Sequence, residues 1–270
     1  MTTANTIKVS TDKMIAHKEQ HVGWMIFNNP TRRNALSLEM WIAIGEIMTE
    51  FHNDSEIRVV IMAGAGDKAF VSGADISEFE KHRSNAKAEE EYNKISAYSQ
   101  ATLKGFDKPL VAMIQGFCIG GGLAVALAAD IRIASEESQF GIPAARLGLG
   151  YGFDGLKVLS DLVGPSSAKD ILFSARRLKA SEALRIGLIN QVTSTEDLEK
   201  TVRSYVDGLS ENAPLTIRAA KRAINESLKD PADRELDSLE RKIRSIFDSD
   251  DYREGRQAFM EKRKPVFQGR

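Results

Sequence analysis

Gly116-Phe117-Cys118-Ile119-Gly120-Gly121-Gly122-Leu123-Ala124 is the stretch from which the fold is read. Its three consecutive glycines close an apolar run and open directly into Leu123-Ala124-Val125-Ala126-Leu127-Ala128-Ala129, which has the character of a buried helix. Glycine at a strand-to-helix turn removes the side chains that would screen the backbone. Amide N–H groups at the helix start can then face a ligand. The positive end of the helix dipole favours an oxyanion at that place. The stretch is a site for holding negative charge, and its surroundings limit the chemistry that uses it.

Working outward, Leu110 to Gln115 reads as a buried strand after Lys108-Pro109, and Ile131 to Ala134 returns as another. Ile57 to Met62 is nearly continuous in apolar residues, as expected of a strand covered on both faces. Val22 to Phe27 is a further strand, ended by Asn28-Asn29-Pro30. Ser37 is placed to cap a helix from Leu38 to about Phe51, with Leu38, Trp41, Ile42, Gly45 and Met48 on one face. Gly64-Ala65-Gly66-Asp67 breaks the chain. Phe70 to Asp75 then leads into another helix, with Asp75 and Glu78 at capping-box spacing. The polar run Ser84 to Glu91 is expected to be a mobile helical excursion.

Repeated parallel crossovers of this kind predict an α/β core. From about Asp154 the pattern becomes helical, with Pro165, Ser181 and Pro214 at helix starts and charged amphipathic helices from Asp197 to Lys264. The expected division is a core over 1–195 and a helical domain over 196–270.

Composition narrows the function classes. Hydrophobic residues make up 42% and charged residues 28%, ordinary for a globular chain, and the formal net charge of −1 gives no basis for binding nucleic acid. No apolar run reaches the ~18 residues of a membrane span. Met1 to Lys13 lacks an apolar signal core and Arg-rich transit character, so a cytoplasmic setting is expected. Cys118 is the only cysteine and lies in an apolar turn, where packing explains it better than nucleophilic chemistry. Gly116 and Gly121 have P-loop spacing, but Gly122-Leu123 follow where that motif needs Lys and Ser or Thr. Gly116-Phe117-Cys118 fails the dinucleotide fingerprint at its third position. The four histidines are scattered, and no metal site is expected.

What remains is a pair of glycine-containing turns after buried strands, Ser72-Gly73-Ala74-Asp75 and Gly120-Gly121-Gly122. Two N–H groups converging from such turns make an oxyanion hole. Tight packing of small residues would produce the same pattern, so spacing alone leaves both readings open.

The wider pattern is more specific. Asn29 to Leu36, Phe70 to Ile76, Gly116 to Gly122, Ala129 to Ala134, Phe140-Gly141 to Leu149, Ala180 to Asn190 and Ala258 to Lys264 occur in an order that closely resembles the crotonase superfamily, the enoyl-CoA hydratase/isomerase family. The resemblance implies a ββα spiral core, a C-terminal helical domain used in trimerisation, and a homotrimer or hexamer. It also implies an acyl-CoA thioester substrate, with CoA as part of that substrate and no separate cofactor. By the same resemblance, Ala74 and Gly121 supply the oxyanion N–H groups beside Gly73 and Gly120. Ala35, Asp75 and Ile76 then border the CoA, Arg32 and Arg33 approach its phosphates, and Phe259 and Lys262 help cover it.

The pattern breaks where the hydratases of the family carry two glutamates. This chain has Ala124 and Ala144 at those positions. Alanine transfers no proton, and a positioned acid or base is typically worth ~10²–10⁴-fold in rate. The acidic base that many isomerases of the superfamily carry in the next loop is replaced by Gly152. Tyr151 instead aligns with the tyrosine of the methylmalonyl-CoA decarboxylases of the superfamily, within Leu147-Gly148-Leu149-Gly150-Tyr151. Asp154 is a second candidate, although an N-cap role for the following helix explains it as well. Asp75 as a substitute base is weaker than Asp75 in a capping box. The expectation is an acyl-CoA lyase or isomerase that stabilises a thioester enolate. The alternatives are a non-catalytic acyl-CoA-binding subunit and a conventional hydratase using other residues.

Overall fold

The computed structural model describes residues 5–78 and 86–270, which form two sheets flanked by helices. The larger sheet has seven strands in the order β1 (Asn5–Ile7), β2 (Met14–Glu19), β3 (Val22–Phe27), β4 (Val59–Gly64), β6 (Leu110–Ile114), β8 (Ile131–Ser135) and β11 (Gln191–Thr193). The first three pair antiparallel and the rest parallel. The smaller sheet runs β10 (Leu178–Lys179), β9 (Gln139–Gly141), β7 (Phe117–Ile119) and β5 (Ala69–Val71), parallel except at β9–β10. The expected α/β class and its parallel crossovers are present.

Alternation along the long strands explains the layering, since successive side chains point to opposite faces. One face presents Met25, Phe27, Val60, Met62, Leu110 and Ala112 to the main core, shared with Met40, Ile44, Ile47, Met48 and Phe51 of helix α1 (Leu38–Asn53). Ser37 caps α1 as expected, accepting the Met40 N–H at 3.4 Å. Ile42 departs from the expected inner face: it is 42% exposed, because helix α2 (Ala86–Lys104) and the sheet draw Trp41, Ala43 and Ile44 inward instead. Trp41 Nε1 donates to the Tyr92 hydroxyl at 3.1 Å, locking α1 to α2. The expected excursion at Ser84 begins outside the described residues and is helical from Ala86 onward.

The opposite face of the large sheet, with Val22, Trp24, Val59, Ile61, Val111 and Ile133, receives Leu198, Val202 and Val206 of helix α7 (Leu198–Glu211). Before it in the chain come α3 (Gly121–Leu127), α4 (Ala144–Leu147), α5 (Phe153–Ser174) and α6 (Ala180–Arg185). Gly164, at φ 78° and ψ 156°, breaks α5, so Pro165 does start a helical segment. The division expected at 195/196 falls just ahead of α7, whose apolar side packs on the sheet. The remaining helices, α8 (Pro214–Ser227), α9 (Leu236–Ile246) and α10 (Asp250–Glu261), extend from it. Lys221 ties α8 to the sheet by donating to the Lys108 carbonyl at 2.9 Å and to Asp130 at 2.8 Å. The C-terminal tail folds back on α10, where buried Asp251 accepts the N–H groups of Gln268 and Gly269. Among the described residues no helix is long and apolar enough to cross a membrane.

Two local expectations are corrected. The capping box of Asp75 and Glu78 does not form: Ile76–Glu78 is a single 3-10 turn. Asp75 accepts from the N–H and hydroxyl of Ser77, while Glu78 reaches across to the Leu38 N–H at 3.0 Å, an unpaired donor of the α1 N-terminus. Asp154 does not cap α5. Gly152 occupies that position in extended conformation, and Asp154 lies exposed in the first turn, where its charge faces the positive helix end.

Candidate active site

The two glycine turns meet where the sequence places them. Each member of the triglycine answers a different demand. Gly120 sits at φ 55° and ψ −116°, a conformation closed to other residues, and its N–H is tied to the Gly141 carbonyl at 2.8 Å. A methyl on Gly122 would lie 2.1 Å from the Val71 carbonyl oxygen, so only glycine fits between α3 and β5. At Gly121 a methyl would meet nothing closer than 3.7 Å, and the nearest atom is the Ala74 amide nitrogen. The turns after β5 and β7 thus lie side by side at Ala74 and Gly121.

Hydrogen bonding explains why those two amides stay available. Leu36 bridges beside Ala74: its N–H donates to the Gly73 carbonyl at 2.8 Å, and its carbonyl accepts the Asp75 N–H at 2.9 Å. A parallel bridge of this kind uses the groups on either side of Ala74 and leaves the Ala74 N–H unused. Gly121 is the first residue of α3, so its N–H has no partner one turn back. Among the described residues neither N–H donates to any acceptor. Two half-buried, unpaired donors on adjacent turns form an arrangement suited to an oxyanion.

The loop that supplies Leu36 is held by Asn34, a residue that sequence reading did not single out. Its side-chain amide donates to the Ala65 and Ala69 carbonyls at 3.0 and 2.7 Å, and its oxygen accepts the Asn29 N–H at 2.9 Å. Arg33 and Asn34 both take positive φ there, near 52° and 56°. The motif Asn34-Ala35-Leu36 was the available signal, and the side-chain bonds give it a physical meaning.

Other candidate positions are distributed as follows. Ala35 is buried, Arg32 and Arg33 are exposed, and the Arg33 guanidinium lies 5.3 Å from the Phe117 ring, which Arg177 approaches at 4.9 Å. Ile76 is exposed beside the Ala74 turn. Ala124 is half-buried on α3 and Ala144 is buried at the start of α4, and neither position offers a titratable group. Tyr151 stands in the loop from α4 to α5, the helix that packs against α3. Tyr151 is 36% exposed, and the partial burial of its ring raises the phenol pKa above the ordinary 10.0, so it is a neutral donor near pH 7. Asp75 is engaged by Ser77, and Asp154 is exposed in the first turn of α5. Phe259 and Lys262 project at the end of α10, and no hydrogen bond or ion pair among the described residues joins them to the Ala74 or Gly121 turns. Cys118 is fully buried and its thiol pKa is pushed up by desolvation, in keeping with a packing role.

A fold of two sheets with unpaired amides at adjacent βα turns defines an α/β protein whose turns are suited to an oxyanion. The sequence profile of the enoyl-CoA hydratase/isomerase family matches residues 17–270, and the chain belongs to that family. A short-chain-enoyl-CoA hydratase of Clostridium acetobutylicum is 36% identical over 253 residues, covering 94% of this chain and 96% of the relative. A crotonyl-CoA hydratase of Syntrophomonas wolfei is 34% identical, covering 95% and 98%. The crystal structure of an enoyl-CoA hydratase/carnithine racemase from Magnetospirillum magneticum superposes with a TM-score of 0.90 at 34% identity, covering 97% of each chain. The expected crotonase fold is therefore present.

Proposed function

We propose that the chain is an enzyme of acyl-CoA metabolism that binds the thioester oxygen of its substrate between the Ala74 and Gly121 N–H groups and stabilises the enolate formed from it. The observation that carries this reading is the pair of unpaired amides brought together across two turns. Each such donor typically contributes ~2.7–4 kcal/mol in the transition state.

The reaction we favour is decarboxylation of a malonyl-type thioester. The bond between the α-carbon and the carboxylate breaks and carbon dioxide leaves. The electron pair enters the enolate, whose oxygen the two amides hold, and a proton is then returned to the α-carbon. No water need be activated, which suits alanine at 124 and 144. Tyr151 is a protonated phenol that can hold the leaving carboxylate out of the thioester plane or return the proton. Hydration of a short-chain enoyl-CoA is the second reading, favoured by the names of the relatives above. It would need a general acid and base from residues other than 124 and 144.

The substrate-binding role of Arg32, Arg33, Ala35, Asp75 and Ile76 and the assembly into a homotrimer or hexamer belong to the same proposal. Support for assembly comes from the large apolar side chains left exposed on the C-terminal helices, among them Phe247 at 59%, Phe259 at 83% and Met260 at 80%. In an assembly, Phe259 and Lys262 would act on a neighbouring subunit's CoA. The test is turnover of purified protein with methylmalonyl-CoA and with crotonyl-CoA, each product followed by mass. Loss of carbon dioxide from the first, abolished by Gly121→Pro and strongly reduced by Tyr151→Phe, is expected. Hydration of crotonyl-CoA that survives Tyr151→Phe would favour the second reading.

A further inference from the structure

Arg132, the second residue of β8, is 4% exposed, and its guanidinium reaches the turn that ends α3. Its Nε donates to the Leu188 carbonyl at 2.8 Å, and its Nη1 donates to the Ala129 carbonyl at 2.5 Å and the Ala126 carbonyl at 3.4 Å. Ala126 belongs to the last turn of α3, and Ala129 follows in the turn that ends it. No carboxylate among the described residues bonds to the guanidinium. Asp130, two residues away, is occupied by the Leu110 N–H at 2.7 Å and by Lys221 at 2.8 Å.

A buried charge bonded only to carbonyl oxygens, with the Asp130 carboxylate acting on it through space, is costly to keep, and mere packing would be served as well by an apolar residue. Two of the three carbonyls stand at the C-terminal end of α3, and the third, that of Leu188, belongs to the segment after α6. α3 is a seven-residue helix, about 10 Å long, with Gly121 at one end and the Arg132 guanidinium at the other. A cation at a helix C-terminus offsets the negative pole of the dipole and fixes the last turn. The amide at the opposite end is then held in place and sits in a more positive field.

We infer that Arg132 is a positioning residue for the reaction: through α3 it fixes the Gly121 N–H and strengthens that N–H toward the charge developing on the thioester oxygen. The inference rests on the oxyanion assignment of Ala74 and Gly121. Because the effect grows with charge on the oxygen, it acts on the enolate more than on the bound ester. Loss of Arg132 therefore lowers kcat about tenfold and leaves KM within about threefold.

The test uses butyryl-CoA labelled with carbon-13 at the thioester carbonyl, a saturated ester with no double bond to hydrate and no carboxylate to lose. Its carbonyl stretch is measured by isotope-edited infrared spectroscopy on the wild-type protein and on Arg132→Lys and Arg132→Gln, with affinity from calorimetry. The wild type should shift the band to lower frequency than free ester. Arg132→Lys, which keeps the charge, should retain most of that shift. Arg132→Gln, which keeps a donor without the charge, should lose about half of it with a dissociation constant within about threefold of wild type. A wild-type shift unchanged in Arg132→Gln overturns the role of Arg132 and leaves the oxyanion hole standing. No shift in the wild type overturns both. Should Arg132→Gln fail to fold, Arg132→Lys still decides: a folded, ligand-binding lysine variant with the band at the free-ester frequency contradicts the inference, and one retaining the shift supports it.

Discussion

Gly121 and Gly122 are adjacent glycines with opposite tolerances. A methyl at Gly122 collides with the Val71 carbonyl at 2.1 Å, a backbone atom of a buried strand that cannot move aside alone. Gly122→Ala should leave little folded protein, or lower the thermal midpoint by many degrees, as read by circular dichroism. Gly121→Ala meets only ordinary contacts and should melt close to the wild type. Equal midpoints for the two variants would contradict the packing described at the turn. Tyr151 gives a second test at this scale. Its phenol is held above its ordinary pKa of 10.0 by burial, so the protonated form persists through neutral pH. Any loss of activity from its ionisation should appear only above pH 10, and Tyr151→Phe should lower kcat at neutral pH by at least about 100-fold if the phenol handles a proton. An alkaline limb centred near pH 8 in the wild type would point to a different group.

At the scale of elements, Lys108 ties the C-terminal end of α1 to β6. Its ammonium is buried and donates to the Phe51 and Asp54 carbonyls at 2.6 and 2.7 Å. Desolvation lowers its pKa from 10.5 to about 8. The folded value lies below the unfolded one, so between these two pH values the unfolded chain binds more protons than the folded chain. Stability contributed by Lys108 therefore rises as pH increases through this window. The midpoint of the wild type relative to that of Lys108→Met should rise from pH 7 to pH 10, and a constant offset would contradict the shift.

Legibility in the sequence followed the length and burial of each element. β3, β4, β6 and β8 were readable because strands covered on both faces are runs of apolar residues. The strands of the small sheet have two or three residues each, too few for a period to register, and so the second sheet was not visible. The Asp75 and Glu78 spacing misled because the nearest unpaired donors for Glu78 belong to α1, which is distant in sequence. Arg132 gave no signal, since Ile131-Arg132-Ile133 looks like a strand with a solvated charge; the turn that ends α3 and the segment at Leu188 fold over it only in the tertiary structure. The two glycine turns were legible as motifs, whereas the bonds that leave the Ala74 N–H unused run through Leu36 and needed the fold.

For the whole molecule, the C-terminal helices leave Phe247, Phe259 and Met260 exposed, and the proposed assembly would cover them. Sedimentation equilibrium should give three or six times the chain mass, and Phe259→Glu with Met260→Glu should shift the distribution toward the monomer. A monomeric wild type would contradict the assembly. The division of labour in the proposed active site is the larger claim: the Ala74 and Gly121 N–H groups are unpaired on adjacent turns, while Ala124 and Ala144 offer no group that transfers a proton. The most direct test supplies equal concentrations of methylmalonyl-CoA and crotonyl-CoA to one preparation and resolves the products by mass. Decarboxylated product exceeding hydrated product by at least about 100-fold is expected, the scale of one missing acid or base. Predominant hydration of crotonyl-CoA would contradict the account.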